Sequence, residues 1–145
     1  MIDIDSIRAT LRRACKSETL DLREGLGGEW YVTVPYTHLV TAIELLSQER
    51  QWHHLSAISA VREGTEVKVL YHLWLGGGLT LEVRCPQDGG DLPSLCKMLP
   101  IAAWYEREIH DMWGLVFAGH PDLRPLLLPD DWEGPPPMLG ERNTS

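Results

Sequence analysis

The sequence predicts an α+β fold: a mixed, largely antiparallel sheet, two or three packed helices and an extended proline-rich C-terminal arm. Three observations lead there. Apolar residues recur first at helical spacing and then at the two-residue spacing of strands. A triple glycine separates two strand-like runs. After Gly114 the periodicity gives way to six prolines, Pro121, Pro125, Pro129, Pro135, Pro136 and Pro137. At 145 residues and 43% hydrophobic composition the chain has the size of one ordinary globular domain. Such a length buries about 70% of the surface its unfolded form exposes, so neither disulfides nor a structural metal are needed for folding.

Ile4, Ile7, Leu11 and Ala14 stand three and four apart, one face of a helix that Asp3, Asp5 or Ser6 would cap. Gly25, Gly27 and Gly28 interrupt it. The aromatic and β-branched run Glu29–Val34 then reads as a strand ended by Pro35. Thr37 is the expected N-cap of a second helix carrying Leu39, Val40, Ile43 and Leu46. From Trp52 the period is two. Val67, Val69, Tyr71 and Leu73 share one face of the clearest strand, with Lys68 and His72 on the other. Gly76–Gly78 reverses the chain into a partner strand. The run "DLPSLCKMLP" predicts a short helix with Pro93 in its first turn, and a further helix spans about Ala102 to Met112. The prolines after Gly114 imply an irregular segment that still carries Leu115, Val116, Phe117, Leu123, Leu126, Leu127, Leu128 and Trp132. A core domain over 1–114 and a partner-binding arm over 115–145 follow, since so apolar and irregular a stretch must pack on something.

Charge and cysteine usage exclude several functions. Thirteen Lys and Arg against 21 Asp and Glu leave a net charge of −8, which argues against a nucleic-acid surface or an electrostatic membrane anchor. Three scattered cysteines, Cys15, Cys85 and Cys96, fall short of the four thiolates of an iron–sulfur cluster and read as reduced thiols. No apolar run approaches a membrane span, and the N-terminus lacks signal-peptide character, so a cytosolic origin is expected. Phosphate-loop, nucleophile-elbow and zinc-protease motifs are missing from the sequence, and no histidines stand at metal-ligand spacing. The chemically dense stretch is Trp104–Gly114. There Glu106 can pair with His110 and Arg107 with Asp111 across one helical turn, an ion-paired helix end closed by Gly114. Glu106, Glu108 and His110 together could also serve a small acid–base enzyme, the rival reading.

The stretch "WYEREIHDMWGLVFAGHPDLRPLLLPDDW" resembles the hallmark of the 30-kilodalton (C) subunit family of respiratory complex I, the NADH:quinone oxidoreductase. Glu106, Arg107, Glu108, Asp111, Met112, Trp113, His120, Arg124, Leu126 and Leu127 meet the family pattern with its spacing. The resemblance implies a non-catalytic scaffold subunit of the peripheral arm. It would carry no flavin, iron–sulfur cluster, quinone or metal of its own, those groups lying in partner subunits. The implied partners are the large catalytic (49 kDa-type) subunit near the quinone site and the subunit bearing the terminal iron–sulfur cluster. The chain would be held peripherally at the cytoplasmic face of the membrane by these partners. On this reading Glu106, Arg107, Glu108 and Asp111 fix the helix, and Gly119, His120 and Pro121 shape a turn. Arg124, Leu126, Leu127 and Trp132 anchor the interface. Two departures, the ending "DDWEGPPPMLGERNTS" and His110 in "EREIHD", also suit the homologous subunit of energy-converting membrane-bound [NiFe] hydrogenases, whose large subunit holds nickel and iron.

Overall fold

The computed structural model describes residues 2–17, 20–50, 54–85, 91–123 and 137–140. Two compact units divide the chain, Met1–Cys85 and Pro86–Ser145.

The first unit is a five-stranded sheet with two helices. Strands β1 (Leu22–Glu24), β2 (Trp30–Thr33), β3 (Leu55–Glu63), β4 (Glu66–Trp74) and β5 (Gly78–Arg84) lie in the order β1-β2-β5-β4-β3. All neighbours are antiparallel except β2 and β5, which run parallel with Val32 beside Leu81. The sheet is therefore mixed and largely antiparallel, as the sequence predicts. Strand β1 is an addition, since three residues give too short a run to show alternation. Helix α1 (Ile4–Cys15) is capped by Asp3, whose carboxylate accepts the Ser6 N–H at 3.3 Å. Helix α2 (Leu39–Arg50) starts out of a 3₁₀ turn, Tyr36–His38, so Thr37 lies inside that turn and Pro35 stands at its N-cap. Glu49 of α2 accepts from Thr10 and Arg13 of α1 and holds the helix pair together.

Alternation along β4 assigns the two sheet faces. Val67, Val69, Tyr71 and Leu73 are buried, as are Val32, Leu79, Leu81, Val83 and Ile58 on the same face, and the helices bury Ile7, Leu11, Leu39, Ile43 and Leu46. One-sided patterns of both kinds make a two-layer core. The second face is polar and knitted: Glu82 takes Arg23 at 2.5 Å and Lys68 at 3.7 Å, and Lys68 also takes Glu63 at 2.6 Å. His72 lies between Ser59 Oγ (2.9 Å) and Thr80 Oγ1 (3.0 Å), so it is half-buried and bonded instead of freely exposed.

In the second unit, β6 (Leu92–Pro93) pairs in parallel with β7 (Phe117–Ala118). Here the expected short helix over "DLPSLCKMLP" is corrected. Leu92 N donates to the Val116 carbonyl and Ser94 N to that of Ala118, while Pro93, lacking an N–H, occupies the ladder position that donates nothing. Only a single turn follows, Met98 N and Leu99 N donating to Leu95 O. Helix α3 (Ala102–Trp113) matches its predicted span and ends on Gly114, whose φ of +74° suits glycine and sends its N–H to His110 O. The segment after Gly114 is not devoid of regular structure, because β7 and a short helix α4 (Pro137–Gly140) lie within it, and α4 packs on α3.

Candidate functional site

Helix α3 buries Ala102, Glu106, Ile109 and Trp113 along one stripe at spacings of four, three and four, and Asp111 beside it. Glu106 is thus a carboxylate set in an apolar stripe, fully buried. Burial of so polar a group is tolerated only with bonded partners, and three converge on it. Ser94 Oγ donates to Oε1 at 2.6 Å, Leu95 N to Oε2 at 2.9 Å and Cys96 Sγ to Oε1 at 3.3 Å. Ser94 Oγ in turn accepts the Cys96 N–H at 3.1 Å. The carboxylate therefore closes the turn that follows β6 from a helix eleven residues downstream.

Two histidines extend the stitching. His110 Nδ1 donates to the Leu115 carbonyl at 2.7 Å, fastening the end of α3 to the chain that leaves it. This replaces the expected Glu106–His110 pair: the carboxylate turns toward β6 and the imidazole toward Leu115. His120 Nε2 donates to Ala103 O in the first turn of α3 at 3.0 Å, and its Nδ1 accepts the Asp122 N–H at 2.9 Å. Helix α3 is so held at Ala103, Glu106 and His110 in succession, with the β6–β7 pair completing the ring.

Cys96, Glu106 and His120 offer ligand atoms within 4.8 Å of one another, the donor types of a metal centre. The His120 ring is nevertheless fully committed. A carbonyl only accepts, so the His120 Nε2 facing Ala103 carries the proton, and the one ring lone pair is taken by Asp122 N–H. A metal ligand would have to give up a backbone bond, and Glu106 already serves three donors. Burial also holds the Cys96 thiol above its ordinary value, opposed by the Ser94 hydrogen bond and reinforced by the Glu106 charge. As built, the cluster is a hydrogen-bond node.

The remaining predicted site residues spread out. Asp111 is buried, Arg107 and Glu108 are half-buried, and Gly119 and Pro121 are exposed at the turn after β7, Gly119 with φ +87°. Arg124, Leu126, Leu127 and Trp132 lie outside the described residues. Sequence reasoning missed Ser94, Leu95 and Cys96 as the partners of Glu106. The available signal was Glu106 itself, in register with Ala102, Ile109 and Trp113.

The same stretch of chain is shared with known proteins. A profile of the family described as respiratory-chain NADH dehydrogenase, 30 Kd subunit, matches residues 32–140. The chain belongs to this family. The C subunit of NADH-quinone oxidoreductase from Moorella thermoacetica is 34% identical over 122 residues, covering 81% of this chain and 82% of that protein. The C subunit of F(420)H(2) dehydrogenase from Methanosarcina mazei is 36% identical over 103 residues, 68% of this chain and 61% of that one. A relative named as the C/D subunit of NADH-quinone oxidoreductase, from Methylococcus capsulatus, is 34% identical over 78% of this chain and 21% of its own length. Three further C-subunit relatives at 41–52% identity match over 58–76 residues, and the chain spans only 24–37% of their length. Among solved structures, the fold is shared with a trypsin-resistant fragment of Nqo5 (TM-score 0.70, 21% identity, 84% of this chain and all of that one). An archaeal respiratory membrane complex, the membrane-bound sulfane sulfur reductase, holds a chain of the same fold (TM-score 0.72, 21% identity, 90% and 79% covered).

Proposed function

We propose that this chain is an accessory subunit of the peripheral arm of a complex I-type NADH:quinone oxidoreductase, a scaffold without a redox centre of its own. The observation that carries the reading is the use to which the family motif is put. Glu106, His110 and His120 spend their polar atoms on backbone and neighbouring side chains, which makes a rigid platform and leaves little for substrate chemistry. The rival acid–base enzyme loses its geometry for the same reason, since Glu106 and His110 face different partners.

Flavin, iron–sulfur clusters and quinone then belong to partner subunits. The partners are the large catalytic subunit and the subunit with the terminal cluster, and segment 115–145 docks on them through Arg124, Leu126, Leu127 and Trp132. A relative that bears the double name C/D supports an intimate association with a D-type chain. Attachment on this reading is peripheral, at the cytoplasmic face and through partners; no helix among the described residues is long and apolar enough to cross a membrane. Affinity purification of the tagged chain from its native membranes, with mass spectrometry of what accompanies it, tests the proposal. A quinone-linked large subunit with a donor-oxidising module supports it. A large subunit retaining nickel–iron ligand cysteines moves the chain to the energy-converting hydrogenases, and recovery of no redox subunit refutes the scaffold role.

A further inference from the structure

The chain that leaves β7 is closed twice by one residue. His120 N donates to Phe117 O at 3.1 Å, across Gly119, and the His120 ring then accepts the Asp122 N–H through Nδ1 at 2.9 Å. The second closure has the form of an Asx turn, in which a side-chain acceptor takes the backbone N–H two residues on. Here an imidazole nitrogen stands where an Asn or Asp oxygen would. Pro121 between them has no N–H and a fixed φ, so Asp122 supplies the first backbone donor after His120.

An imidazole differs from an Asn oxygen in that it titrates, histidine changing charge within about pH 5–8. The two bonds of this ring fix its protonation state. Nε2 carries a proton for the Ala103 carbonyl at 3.0 Å, and Nδ1 has none, because the Asp122 N–H points at it. A second proton has only Nδ1 to go to, where it sets N–H against N–H. The charged groups around the ring are mixed. Glu106 of α3 and Cys96 of the turn after β6 each place a ligand atom within 4.8 Å of one on His120. The Glu106 carboxylate favours an imidazolium, whereas the Cys96 thiol, held protonated by burial, is neutral toward it. Arg107 stands one helical turn beyond Ala103 on the same side of α3 and opposes the charge, and Asp122 adds an acid within the turn. The cost of protonation therefore falls on the Asp122 bond, while the Ala103 bond survives it.

We propose that His120 is a pH-operated latch: its neutral ring closes the turn onto Asp122, and its imidazolium releases that turn while α3 keeps its hold on Nε2. Its consequence rests on the docking reading of segment 115–145, under which acid pH loosens the base of the arm; the latch itself is tested without a partner. Amide exchange of the full ¹⁵N-labelled chain is followed at Asp122 from pH 7.5 to 5, each rate being compared with that of an unstructured peptide at the same pH. The His120 ring ¹⁵N signals report its titration in the same samples. Protection at Asp122 is expected to fall at least fivefold with the midpoint of the ring, while Leu95, held by Glu106, keeps its protection. His120→Asn, whose side-chain oxygen can close the same turn without titrating, is expected to keep Asp122 protection constant over the range. Protection that persists after the ring has titrated overturns the proposal, as does its absence at pH 7.5. A parallel loss at Leu95, or the parent's pH dependence surviving in His120→Asn, overturns it equally.

Discussion

Ser94 Oγ donates to the buried Glu106 carboxylate at 2.6 Å, joining the strand end that precedes α3 to the middle of that helix. With Leu95 N–H on the other oxygen, the bond makes the first acid of the family motif a fastening point for the second unit. Hydrogen bonds to a charged acceptor contribute about 1.5–3 kcal/mol each, and a buried donor left without its acceptor costs about 1–3 kcal/mol.

Glu106→Ala is accordingly expected to destabilise the chain by at least about 2 kcal/mol. Glu106→Gln, which keeps an oxygen for Leu95 N–H, loses less. Urea unfolding together with amide exchange at Leu95 reads the effect. Unchanged exchange at Leu95 in the alanine variant would show that the carboxylate does not hold the turn.

Arg124→Ala and Trp132→Ala act on binding if the arm is an interface. Each is expected to leave the melting temperature of the isolated chain nearly unchanged while reducing its recovery with the large subunit several-fold. Unfolding of the free chain by either variant would make the arm part of the core.

The polar face of the first unit carries a pH dependence. Burial holds the His72 imidazole below its ordinary value of 6.5, with the Glu29 charge opposing. Below pH 6.5 the unfolded chain takes up a proton that the folded chain accepts only at lower pH. Stability therefore declines as pH falls from 6.5 through the folded value, and this contribution is flat above 6.5. His72→Gln is expected to remove that part of the slope between pH 7 and 4.5, measured by urea midpoints. An identical slope in the variant would assign the decline to other groups.

All three thiols are held in the protonated form. Burial raises Cys15, Cys85 and Cys96, with Cys85 pushed up to about 11. Thiolate is the reactive species, so the native chain is expected to alkylate at pH 8 at least tenfold more slowly than in denaturant. Rapid native labelling of Cys85 would contradict its burial.

Much of the architecture was legible because one-sided burial writes itself into spacing. Val67, Val69, Tyr71 and Leu73 announced β4, and Ala102 through Trp113 announced α3 with its terminal Gly114. Pro93 misled, because proline suits a helix's first turn and an undonating ladder position equally well, and only the Val116 and Ala118 carbonyls decide between them. The node around Glu106 was half legible. Its acid was singled out, but local spacing favoured His110 as partner, whereas the true partners come from Ser94–Cys96, brought near by the β6–β7 pairing. The face of His72 was legible but its bonded environment was not, since strand periodicity says nothing of cross-strand hydroxyls.

The central claim, that segment 115–145 seats this protein on a larger redox subunit, is tested most directly by photo-crosslinking in native membranes. A benzophenone amino acid at position 128 is predicted to give one dominant adduct, its mass and peptides those of the large subunit of the complex. An adduct confined to this chain itself, or none above that of a probe at exposed position 64, would contradict it.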